Sequence, residues 1–512
     1  MSAIGADPGH KRTKGSYLDA AGKFTSILSS RGNPSFASVV AYASNGDVLV
    51  GDDALEYAFL EPERCAQSFK LQLGTTEPVL RDGSTKTARE CTAELLRLLK
   101  RSAELALNCV VADVVLTCPV KFNDAQKADL IAAAKDAGLN VLRIISEPVA
   151  AAVAYGLMTA TDPRVVLVVD IGGGTTDVSV VRIENGRIEV IASDGENPLG
   201  GSDVDEQLWA LLLDAVEAES GTRPSVKDSP QFFAHAAPLI EQAKISLSAG
   251  RDSAVAVAHN GHQVTVSFTL TQFQEIMDSL IQRVMAVTDR TLAAAGMNEQ
   301  DIDDFLLIGA ASRCPYLRDK LSEHVGRAPR GEVNPDSAPA HGAASIAANE
   351  LRQQGRASSL GHQTIPTPGV FVRDATPHAV GCAVLDHGTG DLRNSPIIPK
   401  NTPIPCMKAD EFYLEREDQT TATIEVLQGE ADAKRDECLT IGTLKLEKLP
   451  PEPTRTQRIR VEYSLDRNGM VHVTATDKVS GQSVSVSIDM TNGDTSSSDQ
   501  SNTTTATPAP AP

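Results

Sequence analysis

Two hydrophobic rhythms divide this chain, and no single fold accommodates both. Up to about residue 350, short β-branched runs alternate with longer stretches carrying helix signals, the pattern of an α/β domain. DVVLTCPV (113–120) predicts a buried strand. NDAQKADLIAAAKDAGLN (123–140) predicts a helix capped at its Asn/Asp start and stopped near Gly138. SEPVAAAVAYGL (146–157) predicts another, with Pro148 in its first turn and Gly156 at its end. LRQQGRASSLGHQTIPTPG (351–369) is polar and rich in Gly, Pro and Ser, and reads as a linker. Beyond it the period becomes two. TIEVLQG (423–429) and RIRVEYSLDRNGMVHVTATDKVSGQSVSVSID (458–489) alternate apolar and polar residues, with Asn468-Gly469 and Ser480-Gly481 where hairpin turns belong. The expected organisation is an α/β domain over 1–350, a linker over 351–374 and an antiparallel β domain over 375–492. The tail over 493–512 is too polar to order itself.

Composition narrows the setting. A net charge of −20, from 47 basic and 67 acidic residues, argues against nucleic acid or an anionic membrane as the main partner. No apolar run approaches the roughly 20 residues of a membrane span, and MSAIGADPGHKR has no apolar signal core. The eight cysteines are scattered without a C-x-x-C pair, as expected of reduced thiols in a cytoplasm.

The stretch VVLVVDIGGGTTDVSV (165–180) carries the chemistry. A strand entering a glycine-rich turn gathers backbone N–H groups around one point, a nest suited to phosphate. Asp170 and Asp177 flank it and would repel a bare phosphate, so a metal held through oxygen and water, such as magnesium, is expected between them. Alone, the same stretch is also compatible with a plain tight turn. IGADPG (4–9) repeats the strand–Asp–x–Gly pattern, FLLIGAASRCP (305–315) runs a third strand into a small-residue turn, and NPLGGSDVDEQL (197–208) opens a helix on a glycine pair. Two Asp-bearing hairpin turns in separate halves suggest two related lobes facing one nucleotide.

In order, IGADPG, TCPVKFNDAQK, LNVLRIISEPVAAAVAYGL, VVDIGGGTTDVSVV, LGGSDVDEQL, EQAKISLS, GAASRCP and NPDSAPAHGAA resemble the ATPase domain of the heat-shock protein 70 chaperones. RDATPHAVG, PIIPKNTPIP, ATIEVLQGE and NGMVHVTATDKVSG resemble that family's peptide-binding domain. The resemblance implies an actin-like ATPase domain of two lobes, then an all-β peptide-binding sandwich. It also implies ATP or ADP with Mg2+, extended apolar peptides as clients, and J-domain co-chaperones and nucleotide exchange factors as partners. The family's helical lid is missing after the β domain, so a short, lidless member is expected.

The resemblance also assigns residues. Asp7, Gly9, His10 and Lys11 fall in the first phosphate loop; Gly172, Gly173 and Thr175 fall in the second, with Gly200 and Gly201 beside it. Asp7, Glu147, Asp170 and Asp177 match carboxylates of the magnesium site, and Lys70 matches a lysine near the γ-phosphate. Read alone, Lys70 could be a solvated lysine, and Glu147 a carboxylate favoured by its helix N-terminus. Lys70, Glu147, Asp170 and Thr175 form the expected catalytic set. Glu241, Lys244, Ser248, Gly309, Ala310, Arg313 and Asp336 match the adenosine side, although the first three alone would read as a solvated helix face. Pro119, Lys127, Arg143 and Asp374 match positions that couple the domains, with Lys127 replacing an arginine. Val384, Leu385, Phe412, Ala422 and Ile424 match the peptide cleft, or else are ordinary strand core.

Two departures stand out. The family's two threonines after the first Asp-x-Gly are His10 and Lys11, and the return strand in HKRTKGS has lost apolar alternation. Divergence with Lys11 supplying charge, a degenerate ATPase, and a local reading-frame error all remain open. The second glycine of the adenosine turn is Ala310, costly by about 1 kcal/mol or more if that residue needs positive φ or must let the backbone approach the nucleotide closely. An ATP-regulated chaperone with slow hydrolysis is the leading expectation. A non-hydrolysing peptide-binding or scaffold protein is the alternative, and the β domain argues against a small-molecule kinase.

Overall fold

The computed structural model describes residues 2–356 except 20, 59, 158–161, 186 and 227, and residues 371–487 except 374, 377, 415–418, 452–456 and 467–468. Asp374, most of the expected linker, Asn468 and the polar tail lie outside the described residues. The chain separates into two compact units, Met1–Pro377 and His378–Pro512.

The first unit is built on one strand plan used twice. In the first lobe, β1 (Ser2–Pro8), β2 (Arg12–Leu18) and β3 (Phe24–Ser26) form an antiparallel meander. β1 then pairs in parallel with β4 (Val111–Cys118), which pairs in parallel with β5 (Asn140–Ser146). In the second lobe, β6 (Arg164–Ile171), β7 (Thr176–Glu184) and β8 (Arg187–Glu196) form the equivalent meander. β6 pairs in parallel with β9 (Asp304–Ile308), and β10 (Phe371–Arg373) lies parallel to the free edge of β8. Ile191 is an extra residue in β8, since Val180 faces Ala192 while Val181 faces Val190.

The helices follow their sequence signals. α1 (Asp124–Asp136) begins on a capping box in which Asn123 and Gln126 satisfy each other's backbone N–H, and Gly138 at φ 74° follows its end. α2 (Glu147–Ala154) carries Pro148 in its first turn. α3 (Gly201–Ser220), α4 (Pro230–Ser248) and α5 (Leu270–Ala294) cover the second lobe, and α6 (Ala338–Gln353) lies on β1 and α2. That last contact is backbone against backbone. A Cβ on Gly342 would fall 1.7 Å from the Ala150 carbonyl oxygen, and one on Gly5 would fall 2.1 Å from the Ala344 nitrogen. Small residues on both helices thus bring the layers together in one alanine-rich core with Val166, Val168, Leu306 and Ile308.

The second unit is a β sandwich. One sheet comprises β11 (Ala379–Leu385), β12 (Leu392–Ile398), β14 (Ala422–Gly429) and β15 (Leu439–Leu446), in the order 12-11-14-15. The other runs β13 (Cys406–Tyr413), β16 (Gln457–Leu465), β17 (Val471–Asp477), β18 (Ser483–Ser487). Every pairing is antiparallel. Alternate residues of both sheets fill the core, and the Tyr463 hydroxyl donates across it to the Gly381 carbonyl at 2.7 Å.

Candidate functional site

The two meanders bring their first turns face to face. Asp7, one residue before the end of β1, lies opposite Lys14 of β2, and Asp170, one residue before the end of β6, lies opposite Asp177 of β7. The second turn is held by its own backbone: Gly172 N–H donates to the Thr175 carbonyl at 2.9 Å. The start of α3 secures it from behind, Gly201 and Ser202 N–H donating to the carbonyls of Gly172 and Gly173 at 3.0 and 2.6 Å. Gly200 permits this approach, because a Cβ there would meet the Gly172 carbonyl oxygen at 2.6 Å.

Asp7, Glu147, Asp170, Asp177 and Lys70 are all buried around these turns. Lys70 donates to Glu147 Oε1 at 2.8 Å, and the Thr117 hydroxyl donates to Asp7 Oδ1 at 2.8 Å. Burial raises the Glu147 carboxyl, with Lys70 opposing and Asp7 reinforcing. Asp170 is raised well above the carboxylate range, by burial first and then by Glu147, Asp177 and Asp7. Burial, with Glu147, pushes Asp177 up to about 7 against the pull of Lys70 and Lys121. Burial opposes the Lys70 charge, but Glu147 and Asp7 outweigh it and hold the ammonium protonated. Mutually strained carboxylates of this kind fit a hard divalent cation. Among the described residues, the one trio whose ligand atoms all lie within 4.8 Å of one another is Asp289, Glu299 and His324, on the surface of the second lobe. The cleft carboxylates are spread more widely, which suits an ion that keeps its water shell.

The first turn differs from its sequence expectation. β2 forms in full register despite its missing apolar alternation: Thr13, Gly15, Ser16 and Leu18 are buried, and the Thr13 and Ser16 hydroxyls are paired. Thr13 Oγ1 lies 3.0 Å from Ser38 Oγ, and Ser16 Oγ donates to the Thr25 carbonyl at 3.0 Å. Lys14, not foreseen as a site residue, reaches Asp336 Oδ1 at 2.9 Å and Asp7 Oδ2 at 3.6 Å. Burial opposes its charge, and Asp7 and Asp336 more than restore it. His10 and Lys11 press on the opposite turn: a Cβ on Gly174 would lie 2.9 Å from His10 Cδ2, and one on Gly173 2.6 Å from Lys11 Cγ. Burial, then Lys11 and Lys70, pushes His10 down to about 4, so it is neutral at pH 7. Gly9 is also required, since a Cβ there would meet the Arg12 carbonyl oxygen at 2.2 Å.

The residues expected on the adenosine side form two groups. On α4, Lys244 pairs with Asp205 Oδ1 at 2.6 Å and Glu241 Oε2 at 2.8 Å, with Ser248 one turn further on. Near β9, Arg313 pairs with Asp336 Oδ2 at 3.0 Å. The expected strain at Ala310 is absent: it begins a short 3-10 turn and is not among the positive-φ residues. Gly309 takes that conformation at φ 85°, and a Cβ there would meet the Ile171 carbonyl oxygen at 2.3 Å.

The other assigned residues are scattered. Pro119 is buried after β4, Lys127 is buried on α1, and Arg143, buried on β5, lies 3.7 Å from Glu350 of α6. In the sandwich, Ala422 and Ile424 are buried core residues, and Val384 and Phe412 pack at the core margin. Leu385, adjacent to Val384 on β11, alternates to the opposite face, so the five do not line one surface.

Residues 78–507 match a family model described as Hsp70 protein. The chain belongs to the Hsp70 family. Its match to that model starts after the divergent first turn. The chain is 35% identical to the chaperone protein DnaK of Thermotoga neapolitana over 492 residues, 95% of this chain and 80% of the relative. It is 33% identical over 494 residues to DnaK of Thermosipho africanus, 95% of this chain and 79% of the relative. An Hsp70-family chain with these two units accounts for the duplicated strand plan and for the sandwich that follows it. No helix among the described residues is long and apolar enough to cross a membrane.

Proposed function

We propose that this Hsp70-family chain is a cytoplasmic, ATP-regulated chaperone that binds extended apolar peptide segments and hydrolyses ATP slowly. The observation carrying the reading is the convergence of two Asp-bearing turns on the buried Lys70–Glu147 pair, in a chain that also holds a β sandwich.

The residues divide the work. Backbone N–H groups of the Gly172–Thr175 turn and the Lys70 ammonium receive the phosphates. Asp7, Glu147, Asp170 and Asp177 would hold magnesium through its water, and the ion would spread the charge developing on the phosphates. Glu147, raised by burial yet paired with Lys70, orients that lysine and is placed to accept a hydrogen bond from an attacking water. Thr175 places a hydroxyl at the same turn. Glu241, Lys244, Ser248, Arg313 and Asp336 flank the nucleoside. Pro119, Lys127, Arg143 and Asp374 are proposed to relay nucleotide state to the sandwich, where Phe412 and Val384 border the peptide site. Co-chaperones of J-domain type and exchange factors are the expected partners.

Slow hydrolysis follows from the first turn. Lys11 and His10 lie against Gly173 and Gly174, adding a cation where carboxylates must gather a metal. The same contact favours the second reading, a peptide-binding protein that retains nucleotide without hydrolysing it. Phosphate release with and without an extended apolar peptide separates the two. Stimulated release supports the chaperone cycle; nucleotide binding with no release at any peptide concentration selects the second reading.

A further inference from the structure

A single lysine side chain joins the proline loop of the first lobe to the strand behind Asp177. Lys121 follows β4, two residues beyond Pro119. Its Nζ lies 2.8 Å from Asp194 Oδ1 and donates to the Gly195 carbonyl at 2.5 Å, both on β8 of the second lobe. The receiving carboxylate is fixed from other sides: Arg290 Nε of α5 donates to Asp194 Oδ2 at 3.0 Å, and the Gly195 N–H to Asp194 Oδ1 at 2.8 Å. Burial opposes the Asp194 charge, but these donors together hold its pKa down to about 2. The Asp194 carboxylate is therefore charged across the physiological range.

Gly195 carries the contact inward. It faces Asp177 in the β7–β8 register, and a Cβ on it would lie 2.5 Å from Asp177 Oδ1 and 2.7 Å from the Thr176 carbonyl oxygen. The Gly195 backbone is thus the surface on which the Asp177 carboxylate rests. A shift of Gly195 by a few tenths of an ångström changes where that carboxylate can sit.

We propose that Lys121 is a positioning residue that ties the Pro119 loop to Asp194 and Gly195, and through Gly195 sets the position of Asp177 in the nucleotide cleft. Its effect on nucleotide rests on the ATP-binding reading above; the tie between the lobes does not. With its ammonium partly in water, Lys121 adds little to global stability. Its influence falls on local opening and on the metal-side carboxylate.

The test uses the full chain with Lys121→Met, which keeps the stem and removes the charge, Lys121→Arg as the conservative rescue, and Asp194→Asn as a second route to the same break. Without nucleotide, amide exchange at residues 120–123 and 194–196 should quicken about 5- to 10-fold in Lys121→Met and Asp194→Asn, and stay near wild type in Lys121→Arg. The double variant should be no worse than either single one. With a fluorescent ATP analogue, Lys121→Met should need several-fold more Mg2+ for half-maximal retention while binding without Mg2+ is unchanged. Unchanged exchange at 194–196, exchange raised uniformly over the unit, or an unshifted Mg2+ requirement overturns the proposal. A wild type that binds no nucleotide refutes the functional reading instead, and the exchange measurement then decides the tie by itself.

Discussion

Arg458→Met should cost the sandwich about 3 kcal/mol while leaving the first unit intact. Arg458 and Asp477 form a two-pronged pair at 2.7 and 2.8 Å, their side chains 2% and 0% exposed. Arg458 also donates to the Pro450 carbonyl at 3.0 Å, tying the segment before β16 to the turn after β17. Removing one member of a buried pair typically costs about 3–5 kcal/mol, because the other charge stays behind unpaired. Ser480 supplies two further donors to Asp477, from its N–H at 2.9 Å and its hydroxyl at 2.6 Å, which places the loss at the lower end. At about 4–8 °C per kcal/mol for a domain of this size, the sandwich transition should fall by more than about 10 °C. Adding Asp477→Asn should recover about 1–2 kcal/mol by deleting the stranded charge. The sole tryptophan, Trp209, packs in the first unit, so its fluorescence transition is the internal control and should not move. Amide exchange over residues 459–465 reports the sandwich. The pH dependence has a definite sign. Burial opposes the Asp477 charge, but Arg458 and Ser480 hold its carboxyl below the usual range. Its contribution is present above the unfolded pKa and lost as pH falls toward the folded one. Without Arg458 the buried carboxylate is penalised, so acidification should destabilise Arg458→Met less than wild type. A variant within 1 kcal/mol of wild type at pH 7 would refute this account of the pair.

Three further outcomes address function. Asp170→Asn should weaken magnesium-ATP binding far more than Lys11→Ala, measured by calorimetry; equal affinities in wild type and Asp170→Asn would remove the second turn from the site. His10→Thr with Lys11→Thr should raise turnover at saturating ATP roughly tenfold, about 1.4 kcal/mol in the barrier, by withdrawing a cation from the metal side. An unchanged rate in a folded, ATP-binding double variant would show that this turn does not limit hydrolysis. Phe412→Ala should speed release of a fluorescent apolar peptide, followed by stopped flow, and an unaltered off-rate would place the peptide elsewhere.

Much of this architecture is legible in the sequence because local chemistry and fold agree. Asn123 and Gln126 announce a helix start, and the aspartates flanking Gly172–Gly174 end up paired across the turn they bracket. What could not be read depends on register. Lys14 enters the cleft because it faces Asp7 across β1 and β2, a pairing set by the length of the intervening turn. Thr13, Gly15 and Ser16 are buried in the return strand beside Leu18, and a count of apolar residues passes over all three. Lys121 sits in a loop, and its partner is 73 positions away on another lobe. Ala310 misled for the opposite reason: the positive φ belongs one residue earlier, at Gly309.

The extra residue in β8 has a geometric consequence for the whole strand. Gly195 lies on one side of Ile191, and Arg187–Glu189, which carry the Phe371–Arg373 edge, lie on the other. Strand residues alternate both their side chains and their hydrogen-bonding groups from side to side, so one inserted residue inverts the parity of all that follows. Deleting Ile191 would leave Gly195 against Asp177 but turn the outward donors and acceptors of residues 187–189 toward β7. The extra residue therefore decides which of residues 187–189 offer their donors and acceptors to Phe371–Arg373.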